Sequence, residues 1–128
     1  MNDLQINFLA KNENMPTPYA VEVIIKNRQM FIRCDCPAGK FGNFCIHKIR
    51  LLQNEHQALY DPSQRNELNY VSNWVQNSDF WDLISERGGF KKELRKAEDL
   101  LETIKRNMKP VEDKMAQAMK SGINAANR

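Results

Sequence analysis

All three cysteines of the chain fall within twelve residues, and a histidine follows the last of them: Cys34-x-Cys36, eight residues, Cys45-x-His47. Three thiolates and one imidazole complete a tetrahedral donor set for zinc and leave no position open for water or substrate. The pattern therefore predicts one structural Zn2+ held by Cys34, Cys36, Cys45 and His47, in a binding module and not an enzyme. The odd cysteine count agrees, since any disulfide scheme would strand one thiol while a Cys3His site uses all of them. A nucleophile pair of Cys45 with His47 is disfavoured, because residues i and i+2 on a nascent helix do not face each other and no third orienting group is evident. His56, nine residues on, reads as a helix-surface or core-edge histidine rather than a substitute ligand.

Around this cluster the composition is ordinary. The chain has 128 residues, 41% hydrophobic and 27% charged, which suits one globular domain or a small domain with a helical extension. No apolar run is long enough to span a bilayer, and the start MNDLQINFLAKNEN lacks the basic and apolar regions of a secretory signal. These features predict a cytoplasmic protein (nuclear in a eukaryote) without membrane contact, where thiols bind metal more readily than they form disulfides. The net charge of +3 is unevenly spread. Between residues 26 and 50 six basic side chains face Asp35 alone, whereas between 51 and 89 two basic residues stand against six acidic ones.

Periodicity places the cluster on structure. Leu4, Ile6 and Phe8 alternate with polar residues as in a short strand, and 11–18 reads as a loop with two prolines. Tyr19, Val21, Val23 and Ile25, then Met30 and Ile32, predict a β-hairpin turning near Asn27 that delivers Cys34 and Cys36 at its end. Pro37 and Gly39 mark a tight turn, Gly42-Asn43 a loop. From Cys45 a helix is expected, with Ile46, Ile49, Leu52 and Leu59 on one face. Asp61-Pro62-Ser63 closes it. Two short helices are expected at about 64–76 and 79–86, then a break at Gly88-Gly89. From Phe90 an unbroken heptad stripe runs through Leu94, Ala97, Leu101, Ile104, Met108, Val111, Met115 and Ala118, with Pro110 predicting a kink or restart. The fold class is therefore α+β: a zinc-stabilised hairpin/helix module over 1–60, a helical region over 61–122 with a coiled-coil segment at 90–119, and a flexible tail at 123–128.

The CxC…CxH spacing, the hairpin before it, the helix after it, the CDCPAG turn and Lys48 after the histidine together resemble the SWIM zinc finger family, over about residues 19–59. The resemblance implies that Cys34, Cys36, Cys45 and His47 ligate metal, and that the module binds DNA or protein.

Two uses follow. In the first, Lys26, Arg28, Lys40, Lys48 and Arg50 form a phosphate-binding surface and the protein binds DNA or RNA as an accessory or regulatory factor. In the second, zinc is a staple and the helices bind a protein partner, as in an adaptor or an inhibitor of the kind a phage or mobile element encodes. Phe41 and Phe44 are expected to roof the metal site, with stacking on unpaired bases as their other use. Tyr70, Trp74, Phe80 and Trp81 read as the core of a helical cluster, or as a protein-binding patch. The stripe over 90–119 allows either a homodimer or an intrachain bundle.

Overall fold

The computed structural model describes residues 3–126. Three antiparallel strands, β1 (Leu4–Ala10), β2 (Tyr19–Lys26) and β3 (Gln29–Cys34), form a meander in the order β1-β2-β3. A one-turn helix α1 (Pro37–Lys40), then α2 (Ile46–Leu52), α3 (Arg65–Gln76) and a 42-residue α4 (Phe80–Ser121) follow. The class is α+β. No described helix is long and apolar enough to cross a membrane.

Alternation decides which face of the sheet is buried. Ile6, Phe8 and Ala10 of β1 lie opposite Val23, Val21 and Tyr19 of β2, so one face of the sheet is apolar. That face packs on Leu51 and Leu52 of α2, on Leu68, Val71 and Val75 of α3, and on Ile84. The hairpin between β2 and β3 turns at Asn27 and Arg28, both at positive φ (50° and 64°). That is the mirror-image turn whose twist matches paired strands, and it confirms the turn position expected from sequence.

The chain divides into two compact units after Ile84. The first unit extends past residue 60 because α3 and the start of α4 supply Leu68, Val71, Val75 and Ile84 to the core under the sheet. The second consists of α4 from Ser85 onward and, among the described residues, an irregular stretch at 122–126. Of the tail expected at 123–128, Asn127 and Arg128 lie outside the described residues.

Three expectations need correction. The helix after Cys45 stops at Leu52 and not near residue 59. Asn54 takes a left-handed conformation (φ 62°), while its N–H bonds Leu51 O and the Glu55 N–H bonds Arg50 O. That is a Schellman ending, with asparagine in the usual glycine place. Leu59 is buried instead through a bridge between its backbone and Ala10 of β1.

Gly88-Gly89 is not a break, and the segment expected at 79–86 is the first part of α4. Each glycine costs a helix about 1 kcal/mol, which good helix formers on the C-terminal side outweigh. α4 also continues through Pro110 without restarting. A proline removes one intrahelical hydrogen bond but need not end a long helix.

Candidate metal centre

The end of β3 and the start of α2 converge on one point. Cys34 is the last residue of β3, Cys36 caps the start of α1, Cys45 caps α2, and His47 is the second residue of that helix. Their donor atoms all lie within 4.8 Å of one another. Cys36 Sγ is 3.3 Å from Cys45 Sγ, and His47 Nδ1 lies 3.4 Å from Cys45 Sγ and 3.9 Å from Cys34 Sγ. A zinc tetrahedron with Zn–S near 2.3 Å and Zn–N near 2.0–2.1 Å has edges of about 3.6–3.8 Å. The cluster fits one structural zinc, with Nδ1 as the histidine's donor.

Local sequence sets each ligand in place. Pro37 starts α1 at a position where its missing N–H is not needed, and the Gly39 N–H donates to Cys36 Sγ at 3.2 Å. A side chain on Gly39 would run into the Cys34 carbonyl and come within 2.9 Å of Cys34 Cβ. Glycine is thus required there so that the turn can lie flat against the first ligand. Asp35 ties the knuckle to the sheet: its Oδ1 accepts from Ala20 N at 2.9 Å and its N–H donates to Ala20 O at 3.1 Å. The His47 ring packs on Tyr19, centroids 4.7 Å apart. Sequence reasoning marked Gly39 only as a turn residue and gave Tyr19 and Asp35 no part in the site. Strand alternation places Tyr19, but only the folded register brings it to the histidine.

The electrostatics differ among the four ligands. Burial pushes the Cys34 thiol up to about 12, reinforced by the Cys36 and Cys45 thiols against the pull of the Cys36 backbone N–H. Burial also raises Cys36, but hydrogen bonds, led by the Gly39 N–H, outweigh it and leave that thiol below its ordinary value. For His47, burial and then the Arg50 guanidinium lower the pKa, which favours the neutral imidazole that ligates metal. All three cysteines are buried and unbridged. Zinc is bound by thiolates, and holding three thiolates this close needs a cation, a charge that Zn2+ supplies.

The other singled-out residues fall in several places. Lys26 and Arg28 are exposed at the hairpin tip, at the far end of β3 from Cys34 and so about 20 Å along the strand. Lys40 is exposed at the end of α1, between the ligand pairs, and Lys48 and Arg50 are half-buried on α2. The structure therefore does not gather the five cations into one cluster, and Arg50 Nη1 is paired with Glu13 Oε1 at 2.6 Å. A cleft of ≈ 300 Å³ beside His47 is lined by Lys11 and Arg50 but equally by Glu13 and Glu55. His56 is half-buried away from the cluster, its Nε2 2.9 Å from Asn54 Oδ1 and 2.9 Å from Asn69 Oδ1. Trp74 and Trp81 pack against the core, while Tyr70 and Phe80 are exposed.

Phe41 and Phe44, the aromatics expected over the metal, present most of their surface to solvent. They are 81% and 60% exposed, while the three cysteines are buried. With this geometry established, the family comparison is specific: residues 18–55 match the SWIM zinc finger model. No curated protein and no solved structure matches the chain.

Proposed function

We propose that this SWIM zinc finger serves a non-catalytic protein that binds single-stranded nucleic acid through its knuckle, as an accessory or regulatory factor. The observation that carries the reading is the exposure of Phe41 and Phe44 beside the exposed Lys40, on a loop whose two ends the zinc ligands fix. Large aromatic surface in water is unfavourable. Unpaired bases stack on such rings whatever their sequence, and a neighbouring lysine neutralises the phosphates. Zinc at both ends of the loop removes much of the entropy that a free loop would lose on binding. Lys48 and Arg50 on α2, and Lys26 and Arg28 at the hairpin tip, extend the contact along a strand. The complete donor set at the metal leaves no place for a substrate, which supports a binding role.

The test is fluorescence anisotropy with labelled single-stranded and duplex DNA and RNA over a salt series, on the zinc-loaded chain and on Phe41→Ala/Phe44→Ala. Alanine at a stacking position costs about 1–3 kcal/mol per base, so the double variant should bind single strands at least tenfold more weakly. Logarithmic affinity should fall linearly with log salt in both proteins. Equal affinity in the two proteins, or no binding at low salt, would overturn this reading.

A protein-binding adaptor is the second reading, favoured by the apolar stripe of α4. Phe90, Leu94, Leu101, Ile104, Met108 and Val111 are between 47% and 63% exposed, and among the described residues the second unit contains no other helix to cover them. Self-association over 90–119 belongs to both readings, since two copies would join two knuckles.

A further inference from the structure

We propose that α4 pairs with a second copy of itself as an antiparallel coiled coil in one defined register, centred between Glu102 and Thr103. The stripe spacing puts Leu94, Leu101, Met108 and Met115 at core position a, and Phe90, Ala97, Ile104, Val111 and Ala118 at d. The flanking positions then hold Lys91, Glu98, Lys105 and Glu112 at e, with Glu93 and Lys114 at g. Each of these flanking residues is exposed on α4.

In a parallel, in-register pair each g residue faces the e residue five positions on in the other helix. Glu93 then meets Glu98 of the second copy twice per dimer, and no opposite charges meet at these positions. In an antiparallel pair e faces e and g faces g. With Leu101 against Ile104 of the second copy, Lys91 faces Glu112, Glu98 faces Lys105 and Glu93 faces Lys114. Two-fold symmetry repeats each pair, so six opposite-charge contacts form and no like-charge contact does. Sliding the helices by one heptad in either direction sets Glu98 against Glu98 or Glu112, and Lys105 against Lys91 or Lys105. The charge pattern thus selects both orientation and register, as flanking charges do in coiled coils. Met108 faces Ala97, large against small, and Pro110 falls at c, on the outside of the pair. Phe90 of one copy is separated from Phe90 of the other by about 38 Å of helix, so the two zinc modules attach at opposite ends of the rod.

This arrangement rests on the self-association included in the readings above. Sedimentation equilibrium of the zinc-loaded full chain at low salt, for the wild type, Glu98→Lys and Glu98→Lys/Lys105→Glu, separates the two claims. In the antiparallel register Glu98→Lys replaces two attractive contacts by two repulsive ones, and should weaken dimerisation about tenfold. The double variant reverses both partners and should restore wild-type affinity. In a parallel dimer Glu98→Lys relieves the contact with Glu93 and tightens association. Tighter or unchanged association of that variant overturns the arrangement while leaving self-association intact. A monomer at all concentrations overturns both. Circular dichroism on the same samples verifies that these exposed substitutions leave α4 helical.

Discussion

At Gly39 the backbone turn and the metal site meet: its Cα lies against the Cys34 carbonyl, and its N–H points at Cys36 Sγ. Adding one methyl group should therefore act on the zinc and not only on the turn. Gly39→Ala is expected to weaken zinc affinity by tenfold or more, the range seen when residues supporting a metal's ligands are changed. Competition with a chromophoric chelator measures this, and an unchanged zinc constant would mean that the turn can shift without moving Cys34 or Cys36. Residue-level chemistry was the most legible part of the sequence. The four ligands stand out because thiols and an imidazole at this spacing have few other uses. Their supports were not legible, since Tyr19 and Asp35 reach the site only through the β2–β3 register, which puts Val21 opposite Cys34. The exposure of Phe41 and Phe44 was hidden for a related reason: how much room the strands and helices leave above the metal depends on three-dimensional packing.

Among the elements, strands were read more reliably than helix ends. Alternation located all three strands and the turn at Asn27, because a period of two is a direct imprint of a half-buried sheet. Helix boundaries were missed where glycine and asparagine took unexpected parts. Asn54 ends α2 in a left-handed conformation early, whereas Gly88 and Gly89, usual punctuators, lie within α4. An added Cβ at either glycine meets no atom within 4 Å. Replacing Gly88 or Gly89 with Ala should thus stabilise α4 by about 1 kcal/mol per site, seen as a rise in its melting temperature by circular dichroism. A fall would show that the helix depends on backbone conformations that only glycine adopts.

At the scale of the whole molecule, the first unit combines two sources of stability. One is the apolar layer between sheet and helices, built around the fully buried Phe8, Leu51, Leu59 and Leu68. The other is zinc, which holds the end of β3 to the start of α2. The basic residues visible in the sequence are spread out in the structure: the hairpin carries Lys26 and Arg28 to its tip, while Arg50 pairs with Glu13. The weight of the binding reading therefore falls on the zinc-pinned loop from Lys40 to Phe44. If zinc holds that loop in its binding geometry, strand affinity must follow zinc content. The most direct measurement is single-strand binding by anisotropy on the zinc-loaded protein, on the same protein stripped by chelator, and after zinc is restored. The expected result is binding that is lost on stripping and recovered with one equivalent of zinc. Equal binding with and without zinc, or none by the loaded protein, would contradict the proposed role of the knuckle.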